Sequence, residues 1–274
     1  MPELPEVRVN AFKLNEAVTN KTIVDIKVWK PKLIQEINEE EFKSSLIGKR
    51  IKSVSNVSKF LVFELTDDTY MLSHLRMTGQ YLFWNTPPDF LEQHIHIIWY
   101  FSDGSQLQYK DYRAFGTFHI RNKLNLLSTK PLSIIAKEPQ EIEPNDFFKL
   151  TKKSSKAIKT FLLDQSKIAG LGNIYANEVL WACKIHPSKL ASEISLKNVK
   201  DILKFAAQIM DESTKLGGST IDSYSSLNKQ EGSYQNFLQV HLRDKKECRR
   251  CHTIIKKFSL NGRSSYYCPK EQKL

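Results

Sequence analysis

The hydrophobic period of this chain changes once, and that change limits what it can fold into. From about residue 21 to 121, apolar residues come in short runs: Val24, Ile26 and Val28 alternate with polar neighbours, and Phe60–Leu65, His94–Phe101, Leu107–Tyr109 and Thr117–Ile120 follow. Short runs broken by turn residues such as Ser102-Asp103-Gly104 predict an antiparallel sandwich or barrel. A helix precedes them over 5–18, where Val7, Ala11, Leu14 and Val18 fall on one face. Pro131, Pro139 and Pro144 then punctuate a polar stretch, and beyond it the period is helical. Helices are predicted over 145–152, 155–164, 174–184 and 195–215. The last is capped by Ser195 and stopped by Gly217-Gly218. Residues 219–236, rich in Ser, Asn, Gly and Gln, read as a loop, and 237–274 as a strand followed by a hairpin. The pattern predicts an α+β chain of two domains. An N-terminal antiparallel β-sandwich with a leading helix covers 1–132 and a linker covers 133–145. A helical part spans 146–236, and a β-hairpin spans 237–274.

Charge narrows the partner. The 274 residues carry 41 Lys and Arg against 30 Asp and Glu, a net +11. Residues 241–274 alone hold ten bases and three acids, a net +7. Such a patch points to a polyanion, although a solvated basic tail would look the same taken alone. No apolar run approaches the roughly 20 residues of a membrane span. The N-terminus lacks the pattern of a secretory signal. The four cysteines at 183, 248, 251 and 268 exclude a disulfide framework and fit a cytoplasmic setting.

Four local patterns could carry chemistry. If Met1 is removed, Pro2 presents a secondary amine, partly neutral near pH 7 and able to attack an aldehyde-level carbon. The resulting iminium is an electron sink, and the adjacent Glu3 is a proton donor within reach. Alone, this is equally an ordinary solvated terminus. Gly170-Leu171-Gly172-Asn173 lies between two predicted helices, where helix-start N–H groups can hold a phosphate. An ordinary turn would look the same. Cys248-Arg249-Arg250-Cys251 and Cys268-Pro269-Lys270-Glu271, sixteen residues apart, have the spacing of a zinc hairpin. In that reading Glu271 stands fourth, His252 is a second candidate, and a chance group of free thiols is the alternative. Met77 and Phe115, read locally, are core residues; Arg113 lies near Phe115.

Together these residues resemble the formamidopyrimidine-DNA glycosylase and endonuclease VIII family. The opening Met1-Pro2-Glu3-Leu4-Pro5-Glu6-Val7 is similar to the family N-terminus. Gly170-Leu171-Gly172-Asn173-Ile174-Tyr175 resembles its helix-two-turn-helix signature. Met77, His74 and Asp111-Tyr112-Arg113-Ala114-Phe115-Gly116 resemble its lesion-replacing set, and the C-terminal cysteines its zinc-finger-like hairpin. The four motifs occur in the same order along essentially the whole chain.

The resemblance implies a bifunctional glycosylase and abasic-site lyase of base excision repair. Pro2, Glu3, Lys59 and Arg263 would be the catalytic set. His74, Met77, His94, Arg113, Phe115 and Asn173 would contact DNA. Cys248, Cys251, Cys268 and Glu271 would hold one structural zinc. The partner would be double-stranded DNA with oxidised bases or abasic sites, met by a monomer. Gly217-Gly218-Ser219-Thr220 through Glu231–Asn236 resembles the loop of the purine-lesion branch. That favours 8-oxoguanine and formamidopyrimidines over oxidised pyrimidines. A non-catalytic damaged-DNA-binding protein is the competing reading.

The chain departs from the family at several places. Glu271 replaces a cysteine, and a harder oxygen ligand would weaken the site. His241-Leu242-Arg243 replaces Tyr-Gly-Arg. Tyr112 and Ala114 stand where Pro and Arg are usual.

Overall fold

The computed structural model describes residues 1–220 and 226–274. The chain forms two compact units. One contains Met1–Ser133 with Gly217–Ser233, the other Ile134–Leu216 with Tyr234–Leu274.

In the first unit, α1 (Leu4–Val18) is followed by β1 (Ile23–Val28), α2 (Glu39–Leu46), β2 (Ile51–Val57), β3 (Phe60–Leu65), β4 (Thr69–His74), β5 (Gly79–Trp84), β6 (Ile95–Phe101), β7 (Gln106–Asp111) and β8 (Thr117–Asn122). The strands make two four-stranded antiparallel sheets, ordered β1-β6-β7-β5 and β2-β3-β4-β8. The core contains the predicted stripe of α1 (Val7, Ala11, Leu14, Val18) with Ile97, Trp99, Phe63, Tyr81 and Phe118. Each of the Val, Leu, Ile and Phe side chains among them contributes roughly 1.5–3 kcal/mol by leaving water. Strand β6 reads as a continuous apolar run because both its faces are covered. Ile97 and Trp99 enter the main core, while Ile95 and Ile98 pack with Leu82 on the other face.

The helix α2 was not anticipated inside the strand-like region. Its start is specified by a capping box, in which Asn38 accepts the Glu41 N–H and Glu41 accepts that of Asn38. Its Phe42 and Leu46 join the core.

The second unit contains α3 (Pro144–Lys152), α4 (Ile158–Leu162), α5 (Asn173–Ala182), α6 (Leu196–Lys215) and the antiparallel hairpin β9 (Lys256–Leu260) and β10 (Arg263–Tyr267). Ser195 caps α6 as expected. The strand expected before the hairpin does not form among the described residues. The N–H groups of Gln239, Val240 and His241 go instead to the carboxylate of Glu178, at 2.7–3.0 Å. One buried acceptor on α5 replaces a ladder partner.

The loop after α6 also differs from expectation. Residues 217–233, grouped with the helices in the sequence reading, pack with the first unit. Ser219 N–H reaches Glu6, and Asn228 accepts the N–H of Phe83. The part of the expected lesion-capping loop at 221–225 lies outside the described residues. Among the described residues, no helix is long and apolar enough to cross a membrane.

Candidate nucleic-acid interface and catalytic terminus

In the first unit, Pro2 and Glu3 are buried at the head of α1. Their direction is set by Glu6, which the sequence reading did not single out as functional. One Glu6 oxygen accepts the Glu3 N–H at 2.8 Å and the other accepts the Ser219 N–H at 2.8 Å. Gly218, at φ +80°, lets the backbone approach, since a Cβ there would sit 3.0 Å from the same carboxylate. A reciprocal Glu3–Glu6 capping box is the sequence signal that would have found it.

Lys59 lies in the tight turn between β2 and β3, buried, after Ser58 at φ +50°. His74 ends β4 with its ring edge-on to Phe60, 4.5 Å between centroids. Its Nδ1 accepts the Arg76 N–H at 3.0 Å, so the ring hydrogen sits on Nε2. Burial, aided by the charges of Arg76 and Lys59, pushes the His74 pKa down to about 3, and the ring stays neutral near pH 7.

Met77 and Phe115 contradict the local core reading. They are 39% and 55% exposed, and Arg113 Nη1 lies 3.2 Å from Met77 Sδ. The loops that carry them are tied together by one buried carboxylate. Asp111 accepts the N–H groups of Arg113, Phe115 and Gly116 at 3.2, 2.9 and 2.8 Å, and also the hydroxyl of Thr78, beside Met77. Thr78 in turn accepts the Arg113 N–H at 3.0 Å. Gly116 is required there because a Cβ would stand 1.8 Å from the Tyr109 hydroxyl. Met1, Arg76, Met77 and Phe115 line one shallow groove of about 530 Å³. His94 is exposed and packs edge-on against Tyr112, so that departure from the family pattern is seated against a DNA-contact candidate.

In the second unit, Gln165 shapes the turn before α5. Its amide donates to Leu171 O at 2.8 Å and accepts the Gly170 N–H at 3.0 Å. Gly170 adopts φ +93°, and Asn173 begins α5 with its amide oxygen buried. Arg263 is exposed at the first position of β10, beyond the Asn261-Gly262 turn. The hairpin tip is held from α4: Lys159 donates to Ser264 O and Ser265 Oγ at 2.7 and 2.9 Å, and Asn261 donates to Thr160 at 2.9 Å. Lys159 is buried and carries a positioning role that its sequence context did not signal. His241, standing where the family has Tyr, pairs with Asn177 at 2.8 Å and packs on Tyr266. Burial lowers its pKa to about 3.

The thiols of Cys248, Cys251 and Cys268 lie within 4.8 Å of one another. Among the described residues, neither Glu271 nor His252 is in that group. The Glu271 carboxylate instead meets Lys184 Nζ at 3.0 Å and Arg250 Nη1 at 4.0 Å. His252 is exposed and faces Glu247. Cys183 stands apart at the end of α5, its thiol pushed up to about 12 by burial.

Comparison with known proteins follows the same division. Residues 1–118 match the Formamidopyrimidine-DNA glycosylase N-terminal domain, and 135–225 the Formamidopyrimidine-DNA glycosylase H2TH domain. The chain is 51% identical over 274 residues to the formamidopyrimidine-DNA glycosylase of Mycoplasma mobile, covering 100% of both chains. The chain belongs to the formamidopyrimidine-DNA glycosylase family. The enzyme of that name from Listeria monocytogenes is 40% identical, again over 100% of each chain. Among solved structures, a Lactococcus lactis FPG mutant bound to Fapy-dG DNA superposes with a TM-score of 0.94, 36% identity and full coverage of both chains. MutM bound to DNA containing carbocyclic 8-oxo-G gives 0.93, 35% and full coverage.

Residues 245–270 match the zinc finger found in FPG and IleRS. The donor set fits a zinc ion in part. Tetrahedral Zn–S bonds of about 2.3 Å place sulfurs about 3.8 Å apart, and Cys251 Sγ and Cys268 Sγ are separated by 3.4 Å. Cys248 and Cys268 are buried, as a structural site requires.

Proposed function

We propose that this family member is a bifunctional DNA glycosylase and abasic-site lyase of base excision repair, acting on 8-oxoguanine and formamidopyrimidines. The observation that carries the reading is in the first unit. The buried Pro2-Glu3 terminus has a fixed direction, and Met1 shares one groove with Met77 and Phe115. Removal of Met1 would put a nucleophilic amine beside two exposed apolar side chains and a guanidinium.

A base stacked in a duplex cannot present its C1′ to that amine. The nucleotide must leave the stack, at a cost of a few kcal/mol. Met77 and Phe115 fill the gap as apolar wedges and Arg113 reaches the orphaned base. The Pro2 nitrogen bonds C1′ and the base departs with the electrons of the glycosidic bond. Glu3 protonates the sugar ring oxygen, and the open chain is then an iminium. Loss of a C2′ proton to a proton acceptor expels the 3′ phosphate, and loss of the C4′ proton then expels the 5′ phosphate. Water then hydrolyses the iminium and frees Pro2. Lys59, Asn173 and Arg263 bind the backbone phosphates of the kinked strand. His74, neutral, offers its Nε2–H as a hydrogen-bond donor rather than a charge. Cys248, Cys251 and Cys268 would hold one zinc, which would cross-link the two ends of the hairpin. The protein acts as a monomer in the bacterial cytoplasm, where its DNA substrate is.

Borohydride trapping tests the enzyme directly. Protein processed to Pro2 forms a covalent adduct with 8-oxoguanine or abasic DNA, and Pro2→Gly loses most of it. No adduct from processed protein overturns the reading. Faster release of 8-oxoguanine opposite C than of dihydrouracil supports the purine branch, and the reverse order overturns it.

A further inference from the structure

The residue that stands in the fourth cysteine's place is occupied elsewhere. The chain on both sides of Glu271 is pinned. Gln272, buried, accepts the Cys268 N–H and donates to Ile185 O, both at 2.8 Å. Between these anchors the Glu271 carboxylate lies against Lys184, in the turn after α5, and Arg250, in the Cys-x-x-Cys loop. Arg250 is itself fixed. Its guanidinium sits 3.6 Å above the centre of the Trp181 ring and donates to Trp181 O at 3.0 Å. The carboxylate therefore has an ion pair with Lys184 and a longer one with Arg250, which is immobilised by cation–π stacking, although its Oε2 makes no hydrogen bond. Moving to the thiols would give up that pairing for a bond between a soft-ligand zinc and a hard oxygen.

We propose that Glu271 is not a zinc ligand. It is the anionic centre of a staple, Arg250–Glu271–Lys184, that fastens the hairpin to the end of α5. The metal is held by the three thiolates alone, with one exchangeable position. This rests on the zinc reading above. A tetrathiolate hairpin is closed to added ligands, whereas this one is open to them, and its docking onto α5 rests on ion pairing as well as on metal.

Cobalt-substituted full-length protein tests both halves, because the visible spectrum reports the ligand set. Glu271→Gln is expected to leave the cobalt spectrum unchanged and the zinc affinity, measured against a chromophoric chelator, within about threefold. A true ligand would cost at least the roughly 10–100-fold that loss of an outer-shell partner costs. The same variant is expected to speed amide exchange over 181–185 and to remove its dependence on salt. Added imidazole shifts the wild-type cobalt spectrum, and Glu271→Cys abolishes that response while tightening zinc. A changed spectrum or a tenfold weaker site in Glu271→Gln overturns the proposal, as does a wild-type spectrum indifferent to imidazole. Unchanged exchange over 181–185 overturns the staple. Elemental analysis of the wild type separates the two levels. No stoichiometric metal overturns the zinc reading and the three-thiolate half, and the exchange measurement still decides the staple.

Discussion

The loops of the first unit that carry the proposed wedges, Met77 and Phe115, and the hairpin of the second solve one problem with different means. Each presents a few exposed side chains in fixed positions. The wedge loops stand on a core built from α1 and two sheets, and that core leaves room for a buried carboxylate, Asp111, to gather three backbone N–H groups. The hairpin rests on a small cluster of Trp181, Val240, Cys248, Ile255, Tyr266 and Cys268. Few apolar side chains cannot order a short two-stranded element alone. Here a buried lysine and ion pairs contribute, and the three clustered thiols would add a cross-link through the proposed zinc. Polar organisation works inside a large core, whereas a small one needs cross-links.

The difference can be broken most sharply at Cys248. Cys248→Ser is expected to lose stoichiometric metal and weaken binding to lesion duplex by about tenfold or more. Amide protection in the β-sheets of the first unit is expected to be unchanged. Spreading of the damage to those sheets would mean the two regions are not separately held.

Asp111→Asn attacks the other side. An amide nitrogen in place of one carboxylate oxygen faces N–H groups it cannot accept from, at about 1–3 kcal/mol. Excision from duplex DNA is expected to fall about 10–100-fold. Cleavage of single-stranded abasic DNA, which needs no wedge, is expected to stay near wild type. Equal losses on both substrates would remove the wedge-positioning role.

Acid distinguishes the regions more gently. His74 in the first unit and His241 in the second both have folded pKa values near 3, below the ordinary 6.5. The unfolded chain therefore takes up protons first. Stability is full above about pH 6.5 and is lost progressively as the pH falls toward 3. His241→Tyr is expected to flatten this decline in the second unit only, read as amide protection at pH 7.5 and 5.

The smallest effect is at Leu242, which holds φ +56° where the family has glycine. Leu242→Gly is expected to stabilise the second unit by about 0.5–1 kcal/mol, the left-handed strain less the added chain entropy. Thermal melting measures it, and a loss of stability would mean the Leu242 side chain contributes more than its backbone costs.

Much of this was readable from residues in order. The stripe Val7, Ala11, Leu14, Val18 gave α1, and the motifs at 2–7, 74–77, 111–116, 170–175 and 248–268 gave the family. These signals are local: period, punctuation and spacing act over a few residues. Glu6, Asp111, Lys159 and Glu178 act on partners that lie elsewhere in the chain or on neighbouring backbone N–H groups, and a carboxylate or ammonium in sequence does not say which group it will meet. The local pattern placed Met77 and Phe115 in the core and only the family resemblance placed them at the DNA; the tertiary structure decided for the surface, replaced the strand expected before the hairpin with N–H bonds to Glu178, and turned Glu271 away from the thiols. In each case the alternative environments for one side chain differ by burial and charge compensation, which are set by what packs around it and not by its neighbours in sequence.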